Sequence, residues 1–291
     1  GAPVSSLHTM DAENKNYYAK WSAAQSYPIN YVLNDSASHP ATNPAVNLTS
    51  YTVETLPSPI AVANPLRTGY TFQGWYDNAA FTGTPISSFP AMDAAPKTFY
   101  AKWSAPLSYT VQYTLNDGTP AGHPATNPNT VTSYTVLDLN VTLAPATRTG
   151  YDFEGWYDNP GFTGTPITGF PTNDAADKHY YAKWSAAKNY TVQWNLNDNT
   201  PVGHAANNPN TVASYTVEDA DITVHPATRT GYTFEGWYDN PGFTGTPVTS
   251  LHTMDAENKN YYAKWSAAPN SYPIHYVLND GTPAGHPATN P

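Results

Sequence analysis

The phrase Gly-Tyr-x-Phe-x-Gly-Trp-Tyr-Asp-Asn occurs three times, at 69–78, 150–159 and 231–240, and each copy is followed by Ala-Lys-Trp-Ser at 101–104, 182–185 and 263–266. A fourth Ala-Lys-Trp-Ser, at 19–22, has no such phrase before it. The tryptophans Trp21, Trp103, Trp184 and Trp265 stand 82, 81 and 81 residues apart. A fixed period of this length dictates a tandem array, in which each unit closes its own core and leans on its neighbours.

The period divides the chain into 1–24 (the C-terminal part of a repeat), three complete modules at 25–106, 107–187 and 188–268, and 269–291 (the opening part of another). Residues 11–24 repeat 255–268 letter for letter, so the sequence is expected to be a window on a longer array. A module of about 81 residues sits near the size, roughly 80 residues, where a single core becomes marginal without staples. Cysteine is absent, which removes disulfides and thiolate chemistry. Aromatic burial is the expected substitute: there are 23 tyrosines and 8 tryptophans, and each such ring can bury about 150–250 Å². The net charge of −10, with no basic run, argues against a nucleic-acid partner. No apolar run approaches the roughly 18 residues of a membrane span.

Within a module the clearest element is the opening strand. Tyr190, Val192, Trp194 and Leu196 alternate with Thr191, Gln193, Asn195 and Asn197, and period two of this kind specifies a half-buried strand. Tyr109, Val111, Tyr113 and Leu115 repeat it. A turn-rich loop follows (116–128), then strand-like pieces at 131–136 and 141–143, paralleled at 212–217 and 222–224. In the central phrase, Tyr151, Phe153 and Tyr157 share one face and Trp156 the other, unless Gly155 marks a bulge that turns Trp156 inward. Met254 to Asn260 has the composition for one or two helical turns. The closing strand places Tyr180, Ala182 and Trp184 on one side and Tyr181 and Lys183 on the other. Only Ser185 to Asn189 then separates it from the next opening strand, so neighbouring modules are expected to sit close.

The combination Tyr-Thr-Val-x-Tyr, Arg-Thr-Gly-Tyr-x-Phe-x-Gly-Trp-Tyr and Tyr-Ala-Lys-Trp resembles the Listeria-Bacteroides repeat, similar to the B repeat of internalin-type surface proteins. The resemblance covers essentially the whole chain. It implies a mainly β fold, a tandem array of small β-grasp-like modules, each a curved sheet with at most a short helix, found in bacterial cell-surface and secreted proteins. The modules here are longer than the minimal family unit, with the His-Pro-Ala-Thr-Asn-Pro loop as an insertion. No catalytic residues carry over from such a family.

Candidate chemistry is sparse. His39, His123, His204 and His286 each stand alone in one loop per copy, at spacings that give no converging ligand set. Asp77, Asp158 and Asp239, and Asp35, Asp117, Asp198 and Asp280, sit in turns, and no Asp-x-Asp-x-Asp run gathers the roughly six to eight oxygens calcium takes. Lys20, Lys102, Lys183 and Lys264 invite an isopeptide cross-link, but alternation puts them opposite the buried Trp, where a solvated lysine is expected. Trp156 and Tyr181 are the rings that could stack on sugars. No nucleophile–base pair, phosphate loop or paired acids appear in a setting particular to one module, so no enzyme and no cofactor are expected. Trp21, Trp103, Trp184 and Trp265 are expected as core anchors beside the joints, with Trp75, Trp156 and Trp237 from the central phrase and Tyr113 and Trp194 packing from the opening strand. The resulting expectation is a non-enzymatic extracellular structural repeat protein, a stalk, fibre or surface-layer strand. Its partners would be neighbouring or identical repeats; the alternative is an adhesin whose repeats bind a host protein or glycan.

Overall fold

The structure, a computed structural model, describes residues 2–6, 13–118, 122–198, 204–266 and 271–277. The chain divides into two compact units, one of residues 1–109 with 134–139 and 172–176, the other of 110–133, 140–171 and 177–291. The first unit thus holds the first repeat with two short pieces of the second, and the division cuts across the interval 107–187.

In the first unit a four-stranded sheet runs in the order Ser50–Tyr51, Tyr27–Val32, Lys97–Trp103, Phe72–Tyr76. Its central pair is parallel, with Ile29 opposite Lys97 and Val32 opposite Tyr100, and both flanking pairs are antiparallel. A parallel pair cannot be joined by a tight turn. The opening and closing strands of a repeat therefore bracket everything else in it. The third repeat has the same order, Ser214–Tyr215, Tyr190–Asn195, Lys259–Trp265, Phe234–Tyr238. In the second repeat Tyr109–Thr114 pairs in parallel with Lys178–Trp184, which pairs antiparallel with Phe153–Tyr157. The fold is mainly β, in three tandem modules, and none of the sheets closes into a barrel.

Each core is built from the inward face of these strands. Ile29, Tyr51, Ile60, Val62, Trp75, Phe89, Ala91, Phe99 and Ala101 form the first, and Val192, Tyr215, Val224, Ala227, Trp237, Leu251, Tyr261 and Ala263 the third. The closing strand alternates as its sequence requires, with Tyr180 and Ala182 buried and Tyr181 and Lys183 partly exposed.

The central strand departs from simple alternation at its glycine. Gly74, Gly155 and Gly236 take φ of 130°, 128° and 132°, and the register slips between Phe72 and Gly74, Phe153 and Gly155, and Phe234 and Gly236. That extra residue puts Phe153 and Trp156, three apart, on one face, with ring centroids 5.4 Å apart. Tyr157 is displaced to the opposite face, where Phe162 covers it edge-on at 5.7 Å. The bulge therefore separates Tyr157 from Phe153 and removes Trp156 from any sugar-stacking surface.

Two further expectations need correction. The helical turns expected over 254–260 shrink to a three-residue 3-10 turn, Thr253–Asp255, matched in the first repeat by Ala91–Asp93. Ala256 ends it in the left-handed region, φ 52°, and the Tyr215 hydroxyl then donates to the Glu257 carbonyl at 2.6 Å, delivering the chain to the closing strand. The strand-like stretches at 131–136 and 141–143 reduce to Ser133–Tyr134 and Val141–Thr142.

Trp21 is not a core anchor, being 86% exposed. Its counterparts donate Nε1–H to a carbonyl about 70 residues upstream, Trp103 to Leu33, Trp184 to Leu115 and Trp265 to Leu196, each at 2.7 Å.

Candidate functional site: the joint between repeats

The contacts that link one repeat to the next gather around Arg-Thr-Gly-Tyr, at 67–70, 148–151 and 229–232. A short antiparallel ribbon brings each arginine under the histidine loop, pairing Ala41 with Arg67, Ala125 with Arg148 and Ala206 with Arg229. Arginine Nε then donates to the carbonyls of His39, His123 and His204 at 3.1, 2.9 and 2.7 Å. The guanidinium carbons lie 3.8, 4.0 and 4.1 Å from the ring centroids of Tyr70, Tyr151 and Tyr232. Between arginine and tyrosine, Gly69, Gly150 and Gly231 adopt φ of 79°, 80° and 83°, a left-handed conformation in which glycine alone carries no steric penalty.

The missing Cβ also leaves a dimple, and in two cases the next repeat fills it. A Cβ on Gly69 would lie 2.6 Å from Val136 Cγ2, and one on Gly150 2.5 Å from Val217 Cγ1. Both valines are 2% exposed. They stand in turns fixed by Thr135 N–H donating to Asp138 Oδ2 at 2.6 Å and Thr216 N–H to Asp219 Oδ2 at 2.7 Å. We call the arrangement a knob and a socket.

Polar groups ring the socket. His39 Nε2 is 2.6 Å from the Val136 carbonyl, which only accepts, so this nitrogen carries the proton; Nδ1 lies 3.0 Å from Ser38 Oγ. At the second joint Tyr151 donates its hydroxyl hydrogen to Glu218 at 2.7 Å, and the buried His123 ring meets Tyr151 edge-on at 6.2 Å. The connecting segments are bonded to the same sockets, Leu107 N–H to the Gly69 carbonyl and Lys188 N–H to the Gly150 carbonyl, both at 2.8 Å. Lys188 Nζ reaches Asp152 at 2.5 Å, a contact in water that contributes little by itself.

Among the tryptophans singled out by sequence, Trp75, Trp156 and Trp237 are buried and donate Nε1–H to the carbonyls of Ala63, Ala144 and His225 at 3.0, 2.9 and 2.8 Å. Trp103, Trp184 and Trp265 are partly buried at the ends of the closing strands. Tyr113 and Trp194 pack edge-on against Trp156 and Trp237 at 5.4 and 5.0 Å. Asp35, Asp117 and Asp198 accept from the backbone N–H of Ala41, Ala125 and Ala206 at 2.6, 2.6 and 2.7 Å, which is loop fastening. Lys183 and Lys264 pair with Glu154 and Glu235 at 2.9 and 3.1 Å on the exposed side. His286 and Asp280 lie outside the described residues. The glycine and valine of the joint were not among the sequence candidates. Their signal was present, because Arg-Thr-Gly-Tyr and Ser-Tyr-Thr-Val recur unchanged in all three repeats.

One cluster belongs to the third repeat alone and departs from the sequence reading, which placed no nucleophile–base pair in a single module. His252 Nδ1 lies 2.6 Å from Asp221 Oδ2, and Ser250 Oγ lies 3.4 Å from His252 Nε2. The bond from His252, with that from Thr253 N–H, holds the Asp221 carboxyl below the ordinary range. The pairing of Ile222–Thr223 with Ser250–Leu251 brings these residues together across 31 positions. The side chains of His252 and Asp221 are 64% and 52% exposed, so water competes for each bond, and the cluster serves to fasten the 3-10 turn. In the second repeat the equivalent positions are Gly169, Pro171 and Asn140.

Burial raises the hydroxyls of Tyr134, Tyr151 and Tyr261 to about 12, and for Tyr151 the nearby Glu218 adds to the effect. A raised acid binds its proton more tightly when folded. The stability this represents is whole below the ordinary value near 10 and is lost as pH rises from there towards 12. Absorbance titration at 295 nm is expected to show Tyr134, Tyr151 and Tyr261 ionising only as far-UV circular dichroism collapses. A single smooth phase centred near 10 with the fold intact would contradict this placement.

The Listeria-Bacteroides repeat domain model matches the chain three times, over residues 27–102, 109–183 and 190–264. A protein of Evansella cellulosilytica provisionally named a Gly-rich membrane protein is 26% identical over 287 residues, covering 97% of this chain and 30% of its own. A second from the same organism, provisionally named a membrane protein, is 28% identical over 219 residues, 74% of this chain and 29% of its own. The chain thus spans under a third of the length of these relatives. No solved structure shows a significant match. Among the described residues no helix is long and apolar enough to cross a membrane. With three tandem matches that together cover most of its length, the chain belongs to the Listeria-Bacteroides repeat family.

Proposed function

We propose that the chain is a non-enzymatic structural segment of a bacterial surface or secreted protein, in which each repeat adds a fixed increment and each joint passes orientation to the next. The observation that carries this reading is the joint itself. The same glycine socket takes the same valine knob in two successive places, and the connecting backbone is bonded to the socket. A scaffold copied this closely, with its buried groups spent on packing, is suited to spanning distance. Membership of a family of bacterial surface repeats and the membrane-protein names of the relatives support the location. Electron microscopy and small-angle scattering of arrays with increasing repeat number test it. A constant gain in length per repeat is expected, and compact particles whose radius grows only with the cube root of mass would sink the proposal.

A second reading, adhesion to a glycan or host protein, has one observation in its favour. A cleft of about 320 Å³ beside the second joint is lined by Trp184, Tyr151, Arg148, Asn116, Lys183 and Glu218, a ring-and-polar mixture suited to sugars. Glycan-array binding by the intact chain that disappears in Trp184→Phe with an unchanged melting profile would favour adhesion over scaffolding.

A further inference from the structure

The cleft beside the second joint is repeated in build, but not in charge, at the first. Its walls match closely. Asn34 and Asn116 both donate Nδ2–H to an alanine carbonyl of the closing strand, Ala101 and Ala182, at 2.8 Å. Ser104 and Ser185 both donate to the next carbonyl at 2.6 Å. Arg67 lies 3.8 Å from the Tyr70 centroid and 5.9 Å from that of Trp103, and Arg148 lies 4.0 Å from the Tyr151 centroid.

At the second joint three cations stand beside three carboxylates. Lys183 meets Glu154 at 2.9 Å, Lys188 meets Asp152 at 2.5 Å, and Glu218 lines the cleft with Arg148. At the first joint the places of Asp152, Glu154 and Glu218 are taken by Thr71, Gln73 and Leu137, and that of Lys188 by Leu107. Arg67 and Lys102 remain, so these positions carry two positive charges and no negative one, in a chain whose formal charge is −10.

Neither cation is neutralised by its neighbours. Arg67 donates only to the carbonyls of His39 and Asn34, at 3.1 and 3.4 Å, and its Nη2 donates to nothing among the described residues. Lys102 Nζ has the rings of Tyr76 and Phe81 at 5.4 and 5.9 Å, and no carboxylate partner among the described residues. Carbonyls and ring faces leave both charges to be answered by water or a ligand. A carboxylate or sulfate answers them with charge-assisted bonds, the stronger kind.

We infer that the first-joint cleft takes an anionic saccharide, its carboxylate or sulfate held by Lys102 and Arg67 and its ring beside Trp103 and Tyr70. The inference rests on the adhesive reading and gives it a ligand class. The second cleft, with Glu154 and Glu218 in place, repels the same ligand, so the two joints differ in what they select.

Isothermal titration calorimetry of the intact chain with oligogalacturonate, a sulfated dextran oligosaccharide and a neutral dextran oligosaccharide tests this, the two anionic probes telling carboxylate from sulfate. Saturable binding of at least one anionic probe and none of the neutral one is expected, weakening as salt rises from about 0.05 to about 0.5 M. Gln73→Glu writes into the first repeat the residue that the other two carry, which keeps the fold, and should weaken binding about tenfold with the melting profile unchanged. Lys102→Met should do the same. Gln193→Glu adds the same charge on an exposed strand position of the third repeat and should leave binding as it was. Preference for the neutral probe, or equal weakening by Gln73→Glu and Gln193→Glu, overturns the assignment and leaves adhesion standing. Failure of all three probes together with a blank glycan array sinks both.

Discussion

Trp237→Ala is expected to unfold the third repeat at temperatures where the first remains folded. The indole is buried between Trp194 at 5.0 Å and Phe234 at 5.7 Å, with Leu251 and Tyr261 in the same core. Its Nε1–H satisfies the His225 carbonyl at 2.8 Å, and its backbone carbonyl accepts from Val248 at 2.7 Å. Removing a buried Trp side chain costs about 3–5 kcal/mol. A module of about 81 residues commands roughly 4–12 kcal/mol in all, at the usual 0.05–0.15 kcal/mol per residue. The loss is therefore a large share of one repeat's stability. Since the first repeat closes a separate core around Trp75, calorimetry should show one endotherm split into two, with about a third of the enthalpy moved to lower temperature. Trp237→Phe keeps much of the apolar volume but leaves the His225 carbonyl short of a donor, and should shift the same portion by about 1–3 kcal/mol. A single undivided transition moved as a whole would mean that the repeats share one core.

Much of this core could be read from the letters, for a definite reason. Side chains in a strand obey a period of two, so Tyr190, Val192 and Trp194 declare their face locally, and the repeat period supplies the module. The bulge was legible as well, because a glycine between Glu and Trp has few other uses in a strand. The joint was not legible in this way. Gly69 meets Val136 across 67 positions and His39 meets the same residue across 97, and no local periodicity encodes such a pairing. Val136 reads as an ordinary member of an extended stretch, and Gly150 as a turn residue, until the fold sets the knob of one repeat on the socket of another. The Asp221–His252 pair was hidden for the same reason, since only the ribbon between 222–223 and 250–251 brings its members together. The shift of Tyr157 to the opposite face, under Phe162, followed from the bulge and could have been worked out from it.

Gly150→Ala and Gly231→Ala, compared with each other, isolate the joint. Both glycines hold nearly the same left-handed φ, 80° and 83°, so alanine meets the same backbone penalty at each, about 1–2 kcal/mol. Both substitutions also stiffen the unfolded chain equally, by about 0.4–1 kcal/mol, and that term cancels in the comparison. What differs is the knob. At Gly150 the new methyl would stand 2.5 Å from Val217 Cγ1, well inside contact distance, whereas at Gly231 it meets nothing within 4 Å among the described residues. Val217 must leave its seat, giving up burial of about 1.5–3 kcal/mol. The Tyr151–Glu218 bond, held at 2.7 Å only while the repeats touch, goes with it. Gly150→Ala should therefore cost about 2–4 kcal/mol more than Gly231→Ala. The excess should appear as loss of coupling, with the second and third repeats melting independently and the connection at 185–189 becoming open to protease. Adding Val217→Ala to Gly150→Ala should recover part of the loss, because the smaller side chain can share the dimple with the new methyl, and the double-mutant cycle should show an interaction of about 1 kcal/mol or more. Equal costs at the two glycines, or strict additivity with Val217→Ala, would show that the valine does not depend on that glycine and would remove the physical basis of the joint.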